Sequence, residues 1–363
     1  MNKLKRKVVR FKSRTKKEEK CQVATECVLP EGQGYVAASL IKKLLQNGHI
    51  VHTTLRNLDD ESKVGVLKSL PNATNNLVLF EADIYKPHQF EAAITGTNFV
   101  FHIATPLHHT HGTQFGSTTE ASVTATKMIA KFCAESGTVR RLIYTASVVS
   151  MSPMKDDGSG FKELFDESCW TPLNLSYPFS DSFVLGYMES KTITEKELLK
   201  FGESEESERL EVVSLVCGVI AGESPHLSLA LSTLSTMAVL SQFIDDGKLF
   251  KYCRFLQELD GKVPLTHIND ARDALIFCME QSSIDGRFLC ASSFLSSSDI
   301  ANYYRLHHPQ LKQKHGVSEE EVPHRNIKMN SNKLIERGFT YKYDGDMILE
   351  DAFRCCKNQN FLY

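Results

Sequence analysis

Six short, almost continuously apolar runs, at 23–29, 50–56, 77–82, 99–104, 141–147 and 212–217, punctuate the first 220 or so positions. They lack the in–out alternation of strands with one wet face, so they read as parallel strands covered on both sides. Between the first two, the pairs Val36/Ala37, Leu40/Ile41 and Leu44/Leu45 recur every four residues. That spacing stripes one face of a helix, and Gly48 suits its stop. Alternation of this kind predicts an α/β fold, a Rossmann-type doubly wound parallel sheet. Beyond about residue 222 the pattern turns irregular and Ser/Leu-rich, with order returning near 267–281. The expected organisation is a dinucleotide-binding domain of residues 21–222 and 266–285. A smaller substrate-binding lobe of residues 223–265 and 286–363 would lie over the sheet's carboxyl edge, where ligands bind in such folds.

Composition narrows the class. No run of 18 apolar residues occurs, so no membrane-spanning helix is expected. Residues 1–20 hold ten Lys/Arg against Glu18 and Glu19, which leaves −10 for residues 21–363 out of a formal net charge of −2. A basic tail on an acidic body argues against a nucleic-acid-binding fold, and the tail reads as a disordered appendage. It lacks the apolar stretch of a secretory signal. Ten cysteines in 363 residues are too sparse for a disulfide framework and have no zinc-site spacing. Reduced thiols, a cytoplasmic setting and no metal are expected.

A dinucleotide site needs a glycine-rich turn after the first strand, so that backbone and helix N-terminus approach the pyrophosphate. The candidate turn is Pro30-Glu31-Gly32-Gln33-Gly34-Tyr35-Val36-Ala37. In the spacing G-x-x-G-x-x-G the three positions fall on Glu31, Gly34 and Ala37, with Gly32 adding freedom next door. Glu31 places a carboxylate beside a phosphate-binding turn, which weakens this signal. The second strand strengthens it: the run ends at Arg56, with Lys63 seven residues on, and two cations there suit a 2′-phosphate and hence NADP(H). Asp83-Ile84, after the third strand, is placed to meet the adenine. Ala104 lets the backbone pass close to the cofactor. His102 reads as a buried structural histidine.

Tyr187 and Lys191, at i and i+4, share one helix face. An ammonium there lowers the phenol's pKa, ordinarily near ~10, and reaches the nicotinamide ribose. The pair follows by about forty residues a strand ending Tyr144-Thr145-Ala146-Ser147, which puts a serine hydroxyl at the sheet's carboxyl edge. Ser147, Tyr187 and Lys191 together supply an oxyanion partner, a proton donor and a pKa tuner, while hydride comes from the cofactor.

With these residues in place the chain resembles the plant dihydroflavonol reductase group of extended short-chain dehydrogenases/reductases, including vestitone reductase, anthocyanidin reductase and HC-toxin-reductase-like proteins. The resemblance spans roughly residues 34–363. Its carriers include Gly34-Tyr35-Val36, Thr53-Thr54-Leu55-Arg56, Phe101-His102-Ile103-Ala104-Thr105-Pro106 and Ile143-Tyr144-Thr145-Ala146-Ser147. Further matches are Asp166-Glu167-Ser168-Cys169-Trp170, Ser190-Lys191-Thr192, His267-Ile268-Asn269-Asp270 and Gly286-Arg287-Phe288. The resemblance implies a monomeric two-lobed enzyme that uses NADPH, Ser147/Tyr187/Lys191 catalysis, and a planar phenolic or other small carbonyl substrate. It implies that Arg56 and Lys63 hold the cofactor phosphate. It also implies that His267–Asp270 packs the C-terminal lobe and has no catalytic part.

Three departures qualify the resemblance. The glycine-rich turn is altered. Ser152 stands where the group usually has Asn or Asp to hold substrate ring hydroxyls. Cys217-Gly218 stands where a proline is usual near the nicotinamide. Two rival readings stay open: an anthocyanidin-type ring reduction with the same cofactor, and a homologue that kept the fold but lost tight cofactor binding. NADPH titration of the protein against a Glu31→Gly variant separates the second from a working reductase.

Overall fold

The computed structural model describes residues 35–103, 105–110, 112–207, 209–222, 236–316, 325 and 327–362, and residues 22–26 as backbone alone. The basic tail, the turn containing Glu31, Gly32 and Gly34, Ala104, and residues 223–235 of the expected lobe lie outside the described residues.

The strands are β1 (Gln22–Glu26), β2 (Ile50–Leu55), β3 (Leu77–Glu81), β4 (Phe99–His102), β5 (Arg141–Ser147), β6 (Leu164–Phe165), β7 (Glu211–Cys217), β8 (Val219–Ala221), β9 (Val263–His267), β10 (Gly286–Cys290), β11 (Ser293–Leu295) and β12 (Lys328–Met329). Seven of them form one sheet in the order β10-β7-β5-β4-β1-β2-β3. Every pairing in it is parallel. The order reverses between β1 and β4, which opens a crevice at the carboxyl ends of the strands. A small sheet, β11-β9-β8, and a two-stranded ladder, β12-β6, lie beyond it.

The main helices are α1 (Tyr35–Gln46), α2 (Glu61–Lys68), α3 (Thr118–Glu135), α4 (Ser182–Gly202), α5 (Gly247–Asp260), α6 (Ile268–Glu280), α7 (Ser297–His307) and α8 (Gly345–Asn358). The apolar stripe of α1 is buried as expected, through Ala37, Leu40, Ile41, Leu44 and Leu45. Gly48 ends it at φ 82, and its amide donates to the Leu45 carbonyl. That left-handed geometry favours glycine.

Both faces of the sheet are covered, and β5 and β7 divide accordingly. Leu142, Tyr144, Val212 and Val216 enter one core, and Ile143, Val213, Leu215 and Cys217 enter the other. Arg141 opens β5 fully buried, and its guanidinium donates to the Cys278 and Met279 carbonyls and pairs with Glu211. A cation there also suits the negative C-terminal end of α6.

Five of the six expected strands fall within two residues of their runs, and the first is seen over Gln22–Glu26, with residues 27–29 of its run outside the described residues. The run-by-run reading missed a seventh. β10 is the sheet's edge strand beside β7, so residues 286–290 belong to the large sheet and not to the lobe assigned to 286–363. Only five residues long and begun by Gly286-Arg287, it has too little apolar run to register. The His267–Asp270 stretch does hold the C-terminal segment. His267 bonds Asp351 at 3.0 Å and stacks on Tyr343, and Asp270 accepts from the Lys342 and Tyr343 amides.

Candidate active site

Parallel strands bring their carboxyl ends to one edge, so the ends of β5 and β7 and the helix crossing above them define the cleft. Tyr35, Val36, Ile103, Thr145, Ala146, Ser147, Val148, Tyr187, Lys191, Cys217, Gly218, Val219, Ile220 and Tyr252 line it. The three expected catalytic residues and two further expected cofactor residues, Tyr35 and Val36 in the first turn of α1, therefore share one cavity.

Ser147 ends β5 opposite Cys217 and caps the turn 148–150, whose Ser150 hydroxyl returns to the Ser147 carbonyl at 2.7 Å. Asp181 caps α4 through the Val184 amide at 2.8 Å, fixing where that helix starts. From there Tyr187, Lys191 and Glu195 fall one turn apart on one face. Tyr187 is half-buried. Burial holds its phenol above the ordinary value, and the facing Ser147 hydroxyl partly offsets this. Lys191 is buried, and its ammonium donates to the Thr145 carbonyl at 2.8 Å. Burial lowers it to about 8, with the Glu195 carboxylate opposing the shift. The expected lowering of the phenol by Lys191 is therefore not what this geometry gives. Desolvation dominates, and the ammonium is turned to the β5 backbone. A phenol held above its ordinary value is protonated at neutral pH.

A buried ammonium with one carbonyl partner keeps two donors in hand. Those donors fit the hydroxyls of a ribose, so the residues present suit a nicotinamide nucleotide. Gly218 is required by packing against β9: a Cβ there would meet the Pro264 carbonyl oxygen at 2.7 Å and Thr266 Oγ1 at 2.9 Å. Its amide donates to Cys290 and Thr266, which a proline at that position could not do.

Of the expected cofactor residues that the structure describes, Arg56, Lys63, Asp83 and Ile84 lie outside this lining. Arg56 follows β2 and is half-buried, and Lys63 stands in the first turn of α2 with its ammonium 3.0 Å from Asp60. Asp83 accepts from the Tyr85 amide at 3.0 Å, and the Ile84 side chain is in the core. Tyr35 donates its hydroxyl to the Gly222 carbonyl. His102 is buried and bonds Thr126 at 2.8 Å, a structural role. Ser152, which stands where the related group usually has Asn or Asp, is buried with its hydroxyl bound to the Leu259 carbonyl.

Two residues that motif reading passed over tie the site together. Glu195 is fully buried and pairs with Arg287 of β10 at 2.7 Å. It also accepts from Ser150 at 2.5 Å and Ser214 of β7 at 2.6 Å. Arg287 donates in turn to the Ser150 and Cys169 carbonyls and lies 3.6 Å from the Trp170 ring centre. One carboxylate thus joins the helix of Tyr187 and Lys191 to the turn of Ser147. The signals were an acid at Lys191 plus four and the Arg of Gly286-Arg287-Phe288, but only the fold brings them together.

Residues 28–241 match the model of the 3-beta hydroxysteroid dehydrogenase/isomerase family. The chain is 30% identical over 345 residues to a putative anthocyanidin reductase of Ginkgo biloba, covering 94% of this chain and 96% of that one. It is 30% identical over 334 residues to vestitone reductase of Medicago sativa, covering 91% and 96%. The crystal structure of the alfalfa vestitone reductase superposes with a TM-score of 0.71 at 28% identity, over 94% of this chain and all of that one. By family model and by whole-length relatives, the chain belongs to the 3-beta hydroxysteroid dehydrogenase/isomerase family, as an oxidoreductase of the extended short-chain dehydrogenase/reductase type.

Proposed function

We propose that the protein is an NADPH-dependent reductase of a small planar carbonyl compound of flavonoid type, with Tyr187 as proton donor. The observation that carries this reading is the convergence of Ser147, Tyr187 and Lys191 on one cleft. The names of the relatives support the substrate class.

When bound, the reduced nicotinamide supplies the hydride for the substrate's carbonyl carbon. Ser147 and Tyr187 then hydrogen-bond the carbonyl oxygen, where negative charge gathers. The Tyr187 phenol gives that oxygen its proton, and the product is an alcohol. Lys191 orients the nicotinamide ribose, and solvent reprotonates the phenolate left behind. At the cofactor end Gly32, Gly34, Tyr35 and Val36 line the pyrophosphate turn. Asp83, Ile84 and Ala104 border the adenine and the passage to the nicotinamide. Arg56 meets the 2′-phosphate, and so does Lys63 once it turns from Asp60. With this reading go a cytoplasmic monomer, a two-lobed division of labour, and no nucleic-acid or membrane partner. No helix among the described residues is long and apolar enough to cross a membrane.

The test is titration with NADPH and NADH, followed by turnover on flavanone, dihydroflavonol, isoflavanone and anthocyanidin substrates. Tighter NADPH binding and reduction of a ketone are expected. Equal binding of both cofactors would overturn the phosphate assignment. Reduction confined to the anthocyanidin would favour the ring-reduction alternative.

A further inference from the structure

The chemistry of Ser147, Tyr187 and Lys191 leaves one reactive side chain of the cleft unused. Cys217 ends β7 and lines the cleft with those three residues. It stands in register with Ser147 of β5 on one side and with Cys290 of β10 on the other. A hydroxyl and two thiols thus form a row across three strands at the sheet's carboxyl edge. Ser147 and Cys217 open on the cleft, whereas Cys290 is fully buried beside them.

Residues in register on neighbouring strands project from the same face, and Cys217 and Cys290 enter the same core. Strands lie about 4.8 Å apart, within the roughly 4.4–6.8 Å between Cα atoms that a disulfide spans. Both thiols are free. They are close enough to share a hydrogen bond, which with burial holds the Cys290 thiol well above its ordinary value. The backbone beside them is pinned. The Cys290 carbonyl accepts from the Gly218 amide at 3.1 Å and from the Thr266 hydroxyl at 2.5 Å.

We propose that Cys217 and Cys290 are a peroxide-sensitive dithiol, and that closing it to a disulfide deforms the cleft beside Ser147. The bridge itself is independent of the reductase reading, and only its effect on NADPH rests on that reading. Cys217 opens on the cleft, so hydrogen peroxide meets it first. The Cys217 sulfur takes one peroxide oxygen: the O–O bond breaks, and a sulfenic acid and one water form. The Cys290 sulfur then attacks the sulfenic sulfur. The S–S bond forms, the S–O bond breaks, and the oxygen leaves as a second water with the Cys290 proton. The two thiols lose two electrons and two protons, and the peroxide takes up both.

A bridge between strands already bonded through their backbones is strained, and the strain falls on the chain leaving β7. That chain, Gly218-Val219-Ile220, lines the cleft. Gly218 is packed too closely against Pro264 and Thr266 to yield toward β9, so it yields toward the cleft.

The test treats the reduced full chain with hydrogen peroxide, alkylates it, digests it without reductant and maps the peptides by mass spectrometry. NADPH affinity is read by fluorescence before and after. The expected product is a linked pair of peptides carrying Cys217 and Cys290, lighter by two hydrogens than the free thiols. NADPH binding should weaken several-fold, and dithiothreitol should reverse both changes. Cys290→Ser should give no linked peptides. Its lost affinity should not return with dithiothreitol, because a sulfenic acid without a partner goes on to the sulfinic acid. Cys290→Ala serves where a buried hydroxyl unsettles the fold.

Absence of the linked peptides, or linkage at Cys278 or between Cys355 and Cys356 instead, overturns the proposal. So does a Cys217–Cys290 bridge that leaves NADPH affinity unchanged, or full recovery of oxidised Cys290→Ser. A reduced wild type that binds no NADPH would sink the reductase reading, and the linked peptides would then decide the dithiol on their own.

Discussion

Glu195 and Asp260 are both fully buried carboxyl groups, one beneath the catalytic edge and one in the C-terminal region, and the fold treats them in opposite ways. Glu195 is bound by Arg287, Ser150 and Ser214. Asp260 has no hydrogen-bond partner among the described residues. A carboxylate in a complete network fixes the elements around it, because removing any member strands the others. An unpaired carboxyl fixes nothing around it. The difference teaches where geometry is held and where it is not. The edge of the sheet that carries Ser147 is cross-braced, and the end of α5 that carries Asp260 is not.

The comparison breaks most readily at Glu195. Replacing it with Ala leaves the Arg287 guanidinium buried without its carboxylate, and a loss of about 3–5 kcal/mol in unfolding free energy is expected. Urea denaturation checks this, and a loss below about 1 kcal/mol would mean that the network does not brace the fold. Ser147→Ala should keep the fold and lower turnover by ~100-fold or more, the scale of losing one oxyanion partner. Steady-state kinetics on the best ketone reads it. The cofactor end is looser, since Lys63 already has Asp60. Arg56→Ala and Lys63→Ala should each remove about 1.5–3 kcal/mol or less of the preference for NADPH over NADH. The smaller loss should fall on Lys63, and competitive titration of the two cofactors ranks them.

The smallest effect is one of pH. Lys191 titrates at about 8, lowered from 10.5 by burial, so the ammonium is present below pH 8 and turnover should fall as pH rises through it. Stability runs the other way. Between about 8 and 10.5 the unfolded chain holds this proton more tightly, so this group's contribution to stability grows with rising pH. Glu195→Gln keeps hydrogen-bonding capacity but removes the charge that helps hold the proton. The alkaline limb of the rate profile should then move to lower pH, and a limb that stays in place would detach Glu195 from Lys191.

Much of this was legible in the chain. Strands buried on both faces show themselves as unbroken apolar runs, and α1 showed itself through its four-residue stripe. Ser147, Tyr187 and Lys191 stood out by order and spacing, since two lie one helical turn apart and the third ends a strand. What stayed hidden depends on contacts between distant segments. Arg287 is 92 positions from Glu195, and β10 is a strand only because β7 lies beside it. The partners of Lys191 and Lys63 were hidden for a related reason: a spacing shows which side chains share a face, and not which backbone or acid they turn to. Ser152 shows the same limit, its hydroxyl held by a carbonyl 107 positions away.

The central claim is that Tyr187 delivers the proton while the cofactor is held by other groups. Single-turnover reduction of a ketone at saturating NADPH, with Tyr187→Phe beside the wild type, tests it most directly. The account predicts that Tyr187→Phe binds NADPH nearly as tightly as the wild type, keeps its circular dichroism spectrum and transfers no measurable hydride to the ketone. Reduction of any good substrate by Tyr187→Phe at the wild-type rate would contradict it.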